Sequence, residues 1–249
     1  LRVRPAPPAL VGACVGMDSQ ASMLDAVQLL QAQRDVAAHA TRHGATRPSG
    51  VTLRAVEWLD PACCRLITPH AKGMRVPEGQ GGALWLLVEG EQEAALAYLD
   101  RLLDELSRAG ADVAGAQLFM NRKQLRDFDA LRHHVPDSLN QRGRALELAA
   151  GGGKLSTDWS APVAALHALF AEDHRVFAEL DGVERYRYGH IGDGHPHLNV
   201  LCADAASRAA VMERLEAQLV RVVAAGGVPV SEHGIGKLKR AMVAPYLPV

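Results

Sequence analysis

The feature that most constrains the fold is a recurring order of short apolar runs and longer helical patterns. Residues 11–17 form an apolar run of strand length, and Ser19 is placed to cap a helix reaching about residue 42. A loop over residues 44–50 precedes a second strand at 51–59, and Ala83 opens a third, short and continuously apolar, over 83–89. Between residues 92 and 109, Leu96, Leu99, Leu102, Leu103 and Leu106 recur at helical spacing, and Gly110 stops the run. A strand at 113–119 and a helix at 122–133 follow, the helix expected to end before Pro136. Strand–helix–strand thus occurs twice. This predicts an α+β fold: a split βαβ, ferredoxin-like antiparallel sheet with helices packed on one face.

The second half reads less regularly. Residues 141–153, ending in Gly151-Gly152-Gly153, read as a loop, followed by a short strand at 154–158 and a helix opening near Ser160-Ala161-Pro162. Strands at 185–191 and 196–202 form a hairpin, a helix covers 203–225, and a last strand at 228–231 runs into Glu232-His233-Gly234-Ile235-Gly236. With 249 residues, 48% of them hydrophobic, the chain has material for one large domain or two small ones. A net charge of −1 gives no reason to expect a nucleic-acid or membrane-surface partner. No apolar run approaches the roughly 20 residues of a membrane helix. Cys14, Cys63, Cys64 and Cys202 lack paired spacing and read as free thiols in a reducing cytoplasm. The opening Leu1-Arg2-Val3-Arg4-Pro5 has no signal-peptide anatomy and reads as the start of a piece of something longer.

The most informative segment runs Tyr188-Gly189-His190-Ile191-Gly192-Asp193-Gly194-His195-Pro196-His197-Leu198-Asn199. Asp193-Gly194 suits a two-residue type I′ turn, which would set His190 opposite His197. Opposed residues share a face with Cβ atoms about 4.5–5.5 Å apart, so both imidazoles would reach one metal ion at about 2.0–2.2 Å. His195 points the same way, and Tyr188 and Asn199 form the next pair on that face. Among 11 histidines, two neighbours also arise by chance, and Asp193 with its glycines has a plain reading as turn chemistry.

In the second constellation, Ser231-Glu232-His233-Gly234-Ile235-Gly236-Lys237, a carboxylate and an imidazole precede two glycines where the backbone turns sharply. Glu232 offers a third ligand, giving two histidines and one carboxylate with open positions. His233 then stays free as a general base. The segment alone is also compatible with a strand end before a flexible loop.

Together the G-H-x-G-D-G-x-x-H-x-N and S-E-H-G-I-G segments resemble the C-terminal domain of the FAD-linked oxidases. That vanillyl-alcohol-oxidase-like group includes D-lactate, glycolate and D-2-hydroxyglutarate dehydrogenases. The two motifs sit about 30 residues apart with a helix between them, as in that family. Weaker resemblance runs through Val56-Glu57-Trp58-Leu59-Asp60, Leu131-Arg132 and Lys154-Leu155-Ser156-Thr157-Asp158.

The resemblance implies that His190, His197 and Glu232 hold a divalent metal, whether zinc, manganese or iron. It makes His233 the base that takes the substrate hydroxyl proton while hydride leaves Cα for the flavin. Arg132 and Lys154 match basic positions that bind the substrate carboxylate, and Asn199 a polar residue beside the second ligand. Read from their surroundings alone, Arg132 is also an ordinary helix-surface charge and Lys154 a solvated loop end. By the same resemblance, residues 1–230 form the substrate-binding cap and 231–249 begin the C-terminal segment with the Glu-His motif. The FAD-binding domain belongs to the same parent chain and would precede Leu1, so the chain by itself is expected to bind FAD weakly or not at all and to be inactive. The parent is placed in the cytoplasm or peripheral to a membrane, with an unidentified electron acceptor.

Two departures stand out. The family usually carries Asn where this chain has His195, an additional imidazole able to crowd, tune or join the metal site. The stretch between Arg132 and Lys154 is also longer than the family pattern. Neither Gly153-Lys154 nor Gly236-Lys237 has the flanking residues of a phosphate loop. For the substrate, a small 2-hydroxyacid, a second carboxylate would call on Lys154 or Arg142. Two other readings stay open: a non-catalytic module with a structural metal site closed by His195 as fourth ligand, and a metallohydrolase using metal-bound water.

Overall fold

The computed structural model describes residues 8–42, 50–77, 79–234, 240 and 242–246, with no side-chain description for residues 35–42. The chain divides into two compact units, Leu1–His134 and Val135–Val249. In the first unit the elements are β1 (Ala9–Met17), α1 (Gln20–Arg42), β2 (Thr52–Leu59), α2 (Pro61–Ile67), β3 (Ala83–Gly90), α3 (Gln92–Arg108) and β4 (Ala111–Phe119). The strands lie in the order β4-β1-β3-β2, every neighbour antiparallel. That is the ferredoxin-like arrangement expected from the alternating pattern.

Local signals set these elements. The Ser19 hydroxyl accepts from the Ser22 N–H at 3.0 Å and opens α1. The sequence reading overlooked α2, although Asp60-Pro61 announces it: Asp60 accepts from the Cys63 N–H at 2.7 Å and Pro61 fills the first turn. Cys14, Cys63, Cys64 and Cys202 are buried and form no disulfide. Register assigns Ala13 and Leu86, and Val15 and Leu84, to one sheet face, all fully or almost fully buried. Trp85, opposite Cys14, belongs to the other face, where Phe128 packs on Trp85 and Phe119 with ring centroids 5.2 and 4.6 Å away.

Phe128 belongs to α4 (Arg122–Ala150), which departs from expectation. It does not stop before Pro136, and the loop expected over 141–153 is absent. Pro136 costs the helix one N–H donor, yet the buried positions Leu125, Phe128, Leu131, Val135 and Leu139 keep helical spacing straight through it. Continuous burial outweighs one missing hydrogen bond.

In the second unit, the C-terminal half of α4 is followed by β5 (Gly151–Ser156), α5 (Leu166–Phe177), β6 (Val183–His190), β7 (His195–Asp204) and α6 (Ala205–Ala224). These strands lie in the order β6-β7-β5, again antiparallel. Leu155, Leu198, Val200 and Cys202 point to one face and join Phe177, Val211 and Leu215 in a core beneath α5 and α6. Asp204 caps α6 by accepting from the Ser207 N–H at 2.8 Å. The strand expected at 228–231 reduces to a single bridge between Ser160 and Val228. The next residue, Pro229, has no N–H with which to extend the ladder.

The approach of α4 to β5 depends on Gly143. A Cβ there would lie 2.6 Å from the Lys154 Cβ and 3.0 Å from its backbone nitrogen. Gly143→Val is therefore expected to destabilise the protein by about 1–3 kcal/mol through overpacking. Urea unfolding measures this, and an unchanged midpoint would show that helix and strand do not meet this closely.

Candidate functional site

The β6–β7 hairpin supplies three imidazoles. Its connection is not the expected two-residue turn but a 3-10 turn over Ile191–Asp193, closed by left-handed Gly194 at φ 66°. A type I′ turn needs positive φ at both central residues, and Asp193 lacks it. The register accordingly moves by two: His190 opposes His195, and Tyr188 opposes His197. A shift of two leaves every side chain on its expected face, since strands alternate with period two. His190, His195 and His197 still converge, with ring centroids 4.4–5.9 Å apart. Gly194 is required twice over, by its φ and because a Cβ would sit 1.9 Å from the Ala161 carbonyl oxygen.

Glu232 and His233 enter from the segment after α6. The Glu232 carboxylate lies 3.4 Å from His190 Nε2 and 3.9 Å from each of His195 Nδ1, His197 Nε2 and His233 Nε2. The His233 ring stacks on His197 at 4.9 Å. Residues 235–237 of the motif lie outside the described residues.

One participant was overlooked in the sequence. Asp158, 2% exposed, follows β5. It accepts from the His233 N–H at 2.9 Å and the Glu232 N–H at 3.4 Å, and lies 3.3 Å from His195 Nε2. Its signal was an acidic residue between Leu155 and Trp159, in a stretch otherwise built to be buried.

Asn199 is buried on the face of His195 and His197, with Ser156 opposite it on β5 and Tyr186 on β6. Lys154 pairs with Leu201 two residues further along β7, so it belongs to the same face. Arg142 is committed: its guanidinium donates to Glu184 at 2.6 Å and to the Tyr186 hydroxyl at 2.7 Å. Arg132 belongs to the first unit, where it donates to Glu57 and Asp129 at 3.2 Å each and covers the Trp85 ring.

The electrostatics suit a cation. Burial, then the neighbouring His195 and His233, lowers the His197 pKa from 6.5 to about 4. Burial also lowers that of His195 against the pull of Glu232 and Asp158. Neutral imidazoles keep a lone pair for a metal. The Thr157 carbonyl, 3.5 Å from His197 Nδ1, favours the proton there and leaves Nε2 to face Glu232. One donor atom each from His190, His197 and Glu232 lies within 4.8 Å of the others, as does one each from Asp158, His197 and His233. Ligands at bonds of about 2.0–2.2 Å stand roughly 3–4 Å apart, so the first set fits an ion after a small contraction.

The model of the FAD linked oxidases, C-terminal domain, matches residues 27–248, and the chain belongs to this family. Mitochondrial D-2-hydroxyglutarate dehydrogenases are similar to it: that of Arabidopsis thaliana is 24% identical over 203 residues, 78% of this chain and 33% of the relative. That of Rattus norvegicus is 29% identical over 195 residues, 77% and 34% respectively. The chain thus spans about a third of the length of these relatives. In fold it resembles 4-ethylphenol oxidase from Gulosibacter chungangensis, with TM-score 0.55 and 12% identity over 92% of this chain and 46% of that one. It also resembles an alkyldihydroxyacetonephosphate synthase, with TM-score 0.54 and 12% identity over 96% and 44%. No described helix is long and apolar enough to cross a membrane.

The low His197 pKa has a consequence for the metal-free protein. Between about pH 6.5 and 4 the unfolded chain binds a proton at His197 that the folded chain refuses. Stability present above pH 6.5 is therefore lost as pH falls, up to about 3 kcal/mol over the full shift. Urea midpoints at pH 7 and pH 5 should differ more for the chelator-treated wild type than for His197→Gln, and parallel changes would refute the assignment.

Proposed function

We propose that this chain is the substrate- and metal-binding part of an FAD-dependent oxidoreductase that converts a small D-2-hydroxyacid to the 2-oxoacid. In this reading the parent chain supplies the FAD-binding domain, and residues 231–249 begin the segment that follows the cap. Residence in the cytoplasm or at a membrane periphery belongs to the same proposal. The observation that carries it is the Glu232 carboxylate ringed by four imidazoles at 3.4–3.9 Å.

His190, His197 and Glu232 hold zinc, manganese or iron, and a bound ion supplies Lewis acidity to the substrate hydroxyl and carboxylate. FAD supplies the hydride acceptor. His233, with its side chain 60% exposed, is accessible to substrate and takes the hydroxyl proton. Its Nδ1 lies 3.6 Å from Asp158, which leaves Nε2 as the accepting atom. Asn199 lines the floor beside His197, and Arg132 and Lys154 bind carboxylate. A second substrate carboxylate would call on Lys154 or on Arg142, whose guanidinium also donates to Glu184 and Tyr186. The nearness of His195 Nδ1 to Glu232, 3.9 Å, favours one other reading, a closed structural site with His195 as fourth ligand.

Metal analysis of the purified protein tests the proposal. About one equivalent of zinc, manganese or iron is expected in the wild type, and none in His190→Ala/His197→Ala. Water-proton relaxation with bound manganese then counts open positions, and an ion without exchangeable water would favour the closed site and overturn the catalytic one. In the full-length protein, His233→Gln is expected to lower kcat by about 10²–10⁴-fold while metal content is kept. Loss of the metal instead would make His233 a ligand.

A further inference from the structure

Two ligand sets are geometrically open here, one centred on Glu232 and the other on Asp158, with His197 common to both. We infer that Asp158 is a positioning residue: its buried carboxylate is not a ligand but the anchor that fastens Glu232 and His233 against the histidine hairpin. The inference deepens the proposed metal-assisted oxidation and rests on that reading for its consequence, though not for its geometry.

The two carboxylates differ in what they have left to offer. An ionised carboxylate has about four acceptor positions. Asp158 spends three of them on the Glu232 N–H, the His233 N–H and His195 Nε2, and its side chain is wholly buried. A buried charge persists only where hydrogen bonds replace water, so withdrawing these oxygens to a cation would strand two backbone N–H groups. Glu232, its side chain 45% exposed, has imidazole nitrogens 3.4–3.9 Å from its oxygens and remains available to coordinate.

The segment that carries Asp158 is itself held from several sides. The Thr157 N–H donates to the Leu198 carbonyl at 2.9 Å, and its hydroxyl accepts from the Leu198 N–H at the same distance. Ala161 donates to Gly194 at 2.9 Å, and Ser160 exchanges two backbone bonds with Val228. Asp158 thus stands on a rigid loop and reaches residues 232–233, which belong to no helix or strand. In the family of sites where outer groups orient metal ligands, losing such a partner weakens metal binding by about 10–100-fold.

The test uses the protein stripped of metal and compares wild type with Asp158→Asn, which keeps the size but places an amide N–H₂ where two donors now converge. The first readout is hydrogen exchange of the His233 amide by NMR, which needs no metal. It is expected to be slow in the wild type and fast in the variant; an amide exchanging in the wild type as freely as its exposed neighbours overturns the anchor without any variant. The second is titration with cobalt(II), whose d–d absorption reports the ligand set. The variant is expected to bind about 10–100-fold more weakly with the same band positions, whereas wild-type affinity, or a change of bands showing a lost carboxylate ligand, overturns the inference. If the wild type takes up no cobalt while the His233 amide behaves as expected, the metal reading fails and the anchor stands.

Discussion

The placing of the hairpin histidines follows from the alternation of side chains along β7. His195, His197 and Asn199 point one way, while Leu198, Val200 and Cys202 point the other and are buried with Phe177, Val211 and Leu215. The apolar set cannot be turned outward without exposing the core, so the polar set is fixed to the opposite face. The histidines are therefore held in place by hydrophobic burial on the face they do not occupy. β5 and β6 extend the same partition, placing Ser156 and Lys154 on one side and Tyr186, Tyr188 and His190 on the other side of β7, all on the polar face.

Polar groups buried around this scaffold are paired in a way that adds rigidity beneath the site. Trp159, next to Asp158, donates its indole N–H to Gln218 at 3.1 Å, and Gln218 donates to Asp173 at 2.6–2.7 Å. Asp173 also accepts from Arg187 of β6 at 3.2 Å. Burial raises the Asp173 pKa despite Arg187, the mark of a carboxylate that needs all its partners. α5, α6, β6 and the 157–161 loop are tied together by this network. Its members are adjacent in sequence to Asp158 and Tyr188, so disturbance of the core reaches the site through the backbone.

Much of the architecture was legible because it rests on short-range signals. The ferredoxin-like order of the first unit is written in the alternation of apolar runs with the leucine spacing of α3, and the cap at Ser19 sits where such a residue belongs. What failed was judged on single residues against a longer pattern. Pro136 taken alone reads as a helix end, whereas the buried row from Leu125 to Leu139 runs straight past it. Asp193-Gly194 read as a two-residue turn because the dipeptide fits one, while Gly192 left room for a wider loop. The site survived that error only because the register moved by an even number. Asp158 was illegible as an anchor for a different reason: its partners lie 37 to 75 positions away in the chain, and no local pattern announces them.

His195 is the imidazole of this site that stands between two buried or half-buried carboxylates. A further imidazole beside His190, His197 and His233 adds a base that, if protonated, would repel the others and any cation. Its position between two carboxylates, Asp158 at 3.3 Å and Glu232 at 3.9 Å, works in favour of that proton. Burial works against it and prevails, since its pKa falls below the usual value. His195 therefore stands neutral at physiological pH, with one nitrogen facing Asp158 and the other facing Glu232. In that state its Nε2–H donates to Asp158 at 3.3 Å, and Nδ1, without a proton, keeps a lone pair on the side of Glu232.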